Sequence, residues 1–252
     1  ARVPPTIGRA MGALFAIYRL FQPGRHIQVR REHLQLDPAV MWRVVRLSGT
    51  ATHQVFIGTA SWLALVRILS RFGAAAIAGY TIAIRVILLA LFPSWGLGNG
   101  AATMVGQALG AKKPERAERA VWIAGFYNLC FLGTVGILFV TFAGTIAGAF
   151  TQESEVFTYA RDGLLIVAVG SPFYAYGMVI TQSFNGAGDT WTPTYLNLFV
   201  FWLFEIPAAY LLSTRFGLGA HGVFWAIMLA FSLLATASAL MFRRGRWKRT
   251  VV

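Results

Sequence analysis

Apolar residues run through this chain in long stretches, and the charges gather in the short segments between them. A helix needs about 20 mostly apolar residues to cross the hydrocarbon core of a bilayer. Six stretches meet that length: 47–70, 74–109, 120–150, 157–184, 194–214 and 220–242. Three of them hold a proline, at Pro93, Pro172 and Pro207. Proline removes a backbone donor and bends a helix. Such bends are tolerated in membranes where neighbouring groups satisfy the freed carbonyls. The pattern predicts an all-α polytopic membrane protein.

Upstream of the six spans the pattern changes. Residues 9–21 are apolar but short, with Arg19 among them. They read as the end of a preceding membrane helix or as an interfacial helix. Residues 22–46 are polar and basic, with Arg25, Arg30, Arg31, Arg43 and Arg46 against Glu32 and Asp37. They read as a linker between two bundles, with a short amphipathic helix from Asp37. The expected organisation is a helix end at 1–22, a linker at 23–46, a six-helix lobe at 47–242 and a basic tail at 243–252. With Ala1 in place of an initiator methionine and a loop-like start, the chain is expected to be part of a longer protein.

Composition agrees with this class. Of the 252 residues, 57% are hydrophobic and only 12% charged, against roughly 25% charged in soluble domains. The net charge of +13 raises the question of nucleic acid. No basic stripe lies along a helix, so nucleic acid is not the expected partner. Most of the 22 basic residues fall in the linker, in the 110–119 loop and in the tail after Phe242. Positive loops face the cytoplasm. The linker, the 110–119 and 185–193 loops and the C-terminus are therefore expected on the cytoplasmic side of the inner membrane. The tail is also suited to anionic lipid. The single Cys130 lies in an apolar run and leaves no internal disulfide framework.

The stretch 79–111 combines a charge, a proline and many small residues in one span. Gly96, Gly98, Gly100, Ala101, Ala102, Gly106 and Gly110 predict close helix packing. The order Ala83-Ile84-Arg85, Pro93, Gly96-Leu97-Gly98 and Val105-Gly106-Gln107-Ala108-Leu109-Gly110-Ala111 resembles the eighth helix of multidrug and toxic compound extrusion (MATE) transporters. Two later motifs agree in order. Phe184-Asn185-Gly186-Ala187-Gly188-Asp189-Thr190, with Pro193 and Asn197, resembles the loop between helices ten and eleven. Ile206-Pro207-Ala208-Ala209-Tyr210-Leu211-Leu212 and Gly217-Leu218-Gly219-Ala220-His221-Gly222-Val223 resemble helix eleven and the start of helix twelve.

The resemblance implies one six-helix lobe of a two-lobe, twelve-helix transporter. The chain would be the end of helix six, the linker and the C-terminal lobe, with the N-terminal lobe as its partner. It implies export of small amphiphilic or cationic substrates, coupled to inward H+ or Na+ by alternating access. No cofactor beyond the coupling ion is implied. The family's intramembrane acids on helices seven and ten would fall near Gly58 or Thr59 and near Tyr174. Their absence disfavours a Na+ site, because hard cations need clustered charged oxygens.

Glu205 lies midway along the fifth span. A carboxylate there is costly unless it faces the bundle interior and is neutral, paired or able to exchange a proton. It is the first candidate for ion coupling; the alternative is a structural carboxylate bonded to a neighbouring helix. His53 is the second candidate, since histidine changes charge near physiological pH. Arg85 is read either as an electrostatic clasp in the substrate cavity or as a side chain snorkelling to the interface. Gln54, Asn128, Tyr174, Tyr176, Gln182 and Asn197 are cavity candidates, with interhelical bonding as the alternative. Asp189 is expected to cap the helix that follows it. No metal-ligand spacing, nucleophile elbow or carboxylate pair is present, which disfavours a membrane enzyme. A lipid-linked precursor flippase and a passive scaffold remain as alternative functions.

Overall fold

A computed structural model describes residues 4–22 and 37–249. Their regular structure is helical. The chain divides into two units, 1–46 and 47–252. In the first unit, α1 (Pro4–Leu20) is a single helix with exposed apolar side chains such as Met11, Leu14 and Phe15. The linker residues 23–36, including Arg25, Arg30, Arg31 and Glu32, lie outside the described residues. The short helix expected from Asp37 is the first part of α2 (Pro38–Leu69). Asp37 Oδ1 accepts from the backbone N–H groups of Ala39 (2.8 Å) and Val40 (3.3 Å), as an N-terminal cap does.

Six helices among the described residues are long and apolar enough to cross a membrane. They are the 48–72 part of α2 with its closing turn, α3 (Ala74–Gly110), α4 (Pro114–Phe150), α5 (Ser154–Gly186), α6 (Trp191–Arg215) and α7 (His221–Arg243). These are the six predicted spans. α4 and α5 begin earlier than the apolar pattern does, at Pro114 and Ser154. Pro114 and Glu115 suit a first helical turn, the proline by its fixed φ and the carboxylate by its charge. Many outward-facing side chains are large and apolar, among them Leu89, Ile137, Val140 and Leu203. Lipid, not water, is the solvent for that surface.

α5 is the central helix and packs against α3, α4 and α7. Leu164, Val167, Ala175 and Val179 on α5 are fully or nearly fully buried. The α3–α5 contact is built on missing side chains. A Cβ at Gly79 would stand 2.5 Å from Tyr159 Cβ, and one at Gly186 would stand 2.6 Å from Ala102 Cα. Gly98 and Gly106 also meet α5 closely, whereas Gly96, Gly100 and Gly110 face open space. The predicted small-residue face is therefore narrower than the sequence suggests. Glycines on the other sides of α3 have no neighbour to meet.

α6 is not a regular α-helix. Leu198–Glu205 and Leu211–Arg215 are wound as π-helix around one α-turn, Ile206–Tyr210. Pro207 lacks an N–H, and its ring crowds the carbonyl four residues earlier. Wider turns relieve that crowding.

α2 joins the lobe differently. Near its end, Leu65, Ile68 and Leu69 enter the main core. Elsewhere its ties are largely side-chain hydrogen bonds, described below.

The end of the lobe that carries Lys112 and Arg243 is closed by the tail. Trp247 is 1% exposed and stacks on Phe242 at 4.5 Å, with its Nε1 donating to the Phe242 carbonyl at 2.9 Å. Lys248 pairs with Glu118 of α4.

Candidate functional site: an apolar cavity with one buried carboxylate

Three helical stripes converge on a cavity of about 600 Å³. On α2 the stripe is Gln54, Gly58, Ser61 and Leu65; on α3 it is Tyr80, Ile84, Ile87 and Leu91; on α5 it includes Val167, Tyr174 and Met178. Steps of three and four residues keep each set on one helix face. Phe201 and Glu205 of α6, with Ile227 and Phe231 of α7, complete the wall.

Glu205 is the acid that lines this cavity, and it is 3% exposed. Ser61 Oγ–H lies 2.7 Å from Glu205 Oε2 and 3.2 Å from the Phe201 carbonyl. A hydroxyl has one proton to give. When Glu205 is ionised, Ser61 donates to it. When Glu205 is protonated, its own O–H can donate to Ser61 Oγ, which then turns to the Phe201 carbonyl. The triad therefore satisfies either protonation state. Trp202 Nε1 adds a bond from α6 to the Ile57 carbonyl of α2 at 3.0 Å.

A second polar cluster stands where α2 meets the α5–α6 turn. Gln54 Nε2 donates to Asn185 Oδ1 at 3.2 Å and to the Thr190 carbonyl at 3.1 Å. Asn185 Nδ2 donates to Gln182 Oε1 at 2.9 Å. Thr50 Oγ donates to Thr190 Oγ at 2.9 Å. Asp189 accepts from Thr192 N–H (3.1 Å) and Thr192 Oγ–H (2.6 Å), so it fixes the first turn of α6 as expected of a capping residue.

The structure thus brings together Glu205, Gln54 and Tyr174 in the cavity and Gln182 beside it. The Tyr174 hydroxyl is buried with no hydrogen-bond partner among the described residues. Gly58 and Thr59 line the same cavity. The positions at which the resemblance implied acids and the acid that is present therefore share one space.

Five candidates lie elsewhere. His53 is exposed, and its Nδ1 donates to the Gly49 carbonyl one turn back at 2.7 Å. Arg85 is exposed because it sits one position past the Ile84 stripe and points away from it. Tyr176 is two residues past Tyr174, on the other side of α5, against Trp122 of α4 at 6.1 Å. Asn128 is buried and ties α4 to α5 by donating to the Ala175 carbonyl at 2.8 Å. Asn197 is half-buried on α6 and does not line the cavity. Sequence reasoning missed Ser61, Tyr80, Trp62 and Trp95. The helical spacing from Gln54 to Ser61, and from Tyr80 to Ile87, is the signal that finds the first two.

The MatE family model matches residues 52–211. The chain is 24% identical over its whole length to the probable multidrug resistance protein NorM of Thermotoga maritima, covering 54% of that protein. It is 23% identical to the probable multidrug resistance protein YoeA of Bacillus subtilis, over 92% of this chain and 50% of that protein. Among solved structures, an outward-facing multidrug resistance MATE family transporter of the MOP superfamily superposes with a TM-score of 0.86 at 20% identity, over 96% of this chain and 55% of that one. The Vibrio cholerae MATE transporter VcmN in its bent form superposes at 0.81 and 20% identity, over 97% and 53%. The chain spans about half the length of the curated relatives it matches. Its fold is that of one lobe of such a transporter, and the chain belongs to the MATE family, whose members are membrane transporters and not enzymes.

Proposed function

We propose that this chain is the C-terminal lobe of a proton-coupled efflux transporter for amphiphilic or cationic compounds. It works by alternating access together with a second six-helix lobe. Glu205 is the coupling carboxylate. The observation that carries this reading is the Ser61–Glu205 bond at the wall of an apolar cavity. A single carboxylate and a hydroxyl suit a proton, whereas a hard metal cation wants a cluster of charged oxygens. Trp62, Tyr80, Trp95 and Tyr174 in the wall suit flat, lipophilic cations. The wall carries one carboxylate and no basic side chain, which speaks against a flippase for anionic lipid-linked precursors.

The basic end of the lobe, with the 110–119 loop, the 185–193 turn and the C-terminus, faces the cytoplasm of the inner membrane. The linker at 23–46 joins the lobes on that side. The deciding experiment is efflux of a fluorescent lipophilic cation from vesicles that contain the full-length protein. Efflux driven by an imposed pH gradient and lost in Glu205→Gln supports the proposal. Efflux driven by a Na+ gradient alone, or unchanged by Glu205→Gln, overturns it.

A further inference from the structure

Behind α5, on the side away from the Glu205 cavity, a second hollow of about 430 Å³ opens between α4, α5 and α7. Its wall is largely apolar, with Leu129, Tyr176, Ala239 and Leu240 along its length. Trp122 and Arg243 stand at its basic end. Small residues make the hollow. Gly125 has no Cβ, and one built there would stand 2.6 Å from the Tyr176 ring, so the tyrosine can lie against α4. Ala239 leaves the facing side of α7 low.

Arg243 is exposed, and its guanidinium lies 5.6 Å over the Trp122 ring. It has no carboxylate partner among the described residues. The nearby acid Glu118 is engaged by Lys248. Arg119, Arg244 and Arg246 add positive charge at the same end. An apolar trough that ends at an unneutralised guanidinium, on the outer face of a membrane protein, matches a phospholipid in both its parts.

We propose that this groove is a binding site for an anionic phospholipid. One acyl chain lies along Leu129 and Ala239, and the phosphate sits on Arg243 beside Trp122. The site is separate from the efflux cavity and does not depend on what that cavity carries.

The test is tryptophan quenching by bromine-labelled lipid, with the full-length protein in phosphatidylcholine nanodiscs. Trace dibrominated phosphatidylglycerol is compared with trace dibrominated phosphatidylcholine, and Trp122→Phe isolates the Trp122 signal. The expected result is a preference of about fivefold for phosphatidylglycerol at Trp122. It should be lost in Arg243→Gln and kept in Arg243→Lys. Ala239→Leu, which fills the trough, should reduce quenching by both lipids. Thermal unfolding of each variant confirms the fold. Equal quenching by the two lipids in the wild type overturns the proposal, as does a preference that survives Arg243→Gln.

Discussion

Ser61 on α2 and Glu205 on α6, far apart in the chain, face each other at 2.7 Å in the wall of the cavity. The bond ties α2 directly to α6, and it holds the acid that lines the cavity.

Glu205→Gln keeps the shape of the side chain and a bond to Ser61 but removes the exchangeable proton. It is expected to fold normally and to lose efflux driven by a pH gradient. Vesicle efflux at fixed substrate and stepped external pH measures this. A Glu205→Gln protein that still follows the pH gradient would rule out the role.

Ser61→Ala removes a donor to a buried carboxylate. Bonds to charged groups contribute about 1.5–3 kcal/mol. The variant is expected to be destabilised by that order and to transport more slowly, while Ser61→Thr retains most of both. Thermal unfolding in detergent, paired with efflux rates, separates the two effects.

Tyr174 is 5% exposed, and its hydroxyl bonds to nothing among the described residues. Tyr174→Phe should therefore cost the fold little. Tyr174→Ala opens a hole in the core and should cost about 3–5 kcal/mol. If the hydroxyl serves the substrate, Tyr174→Phe weakens substrate binding with stability intact, as a binding titration would reveal.

Gly186→Ala places a methyl group in the backbone of α3 at Ala102. Overpacking of this kind costs about 1–3 kcal/mol. Gly96→Ala, which meets nothing within 4 Å, should be neutral or stabilising by up to about 1 kcal/mol. A shared melting temperature for the two variants would contradict the packing described for α3 and α5.

Trp247 and Trp191 make a contrasting pair. Trp247 is 1% exposed and Trp191 is 51% exposed. Trp247→Ala should cost about 3–5 kcal/mol, whereas Trp191→Ala, which loses its stack on Tyr195, should cost about 0.5–1.5 kcal/mol. The same unfolding measurement checks both.

The six spans were legible in the sequence because length and apolarity are all that a bilayer asks of a crossing helix. Glu205 was legible for the same reason, since a lone carboxylate amid FWLF and IPAAY has to face inward. The direction of other side chains was harder to read. Arg85 and Tyr176 each lie one or two positions from a cavity residue, and that small offset turns them off the cavity face of the helix. The tail reads as a simple basic cluster, yet Trp247 within it is a core residue. Only the fold brings Phe242 and α4 to meet it.

α2 and the α3–α5 pair are held by unlike means. Glycine against backbone interlocks by shape, and nothing else fits the space. Before Leu65, α2 is held largely by the hydrogen bonds of Ser61, Gln54 and Thr50, which are bonds that can be exchanged for others. Of these three, Ser61 and Gln54 line the cavity, so one of its walls is fastened by polar groups that belong to it, whereas the α3–α5 contact is fastened by shape alone.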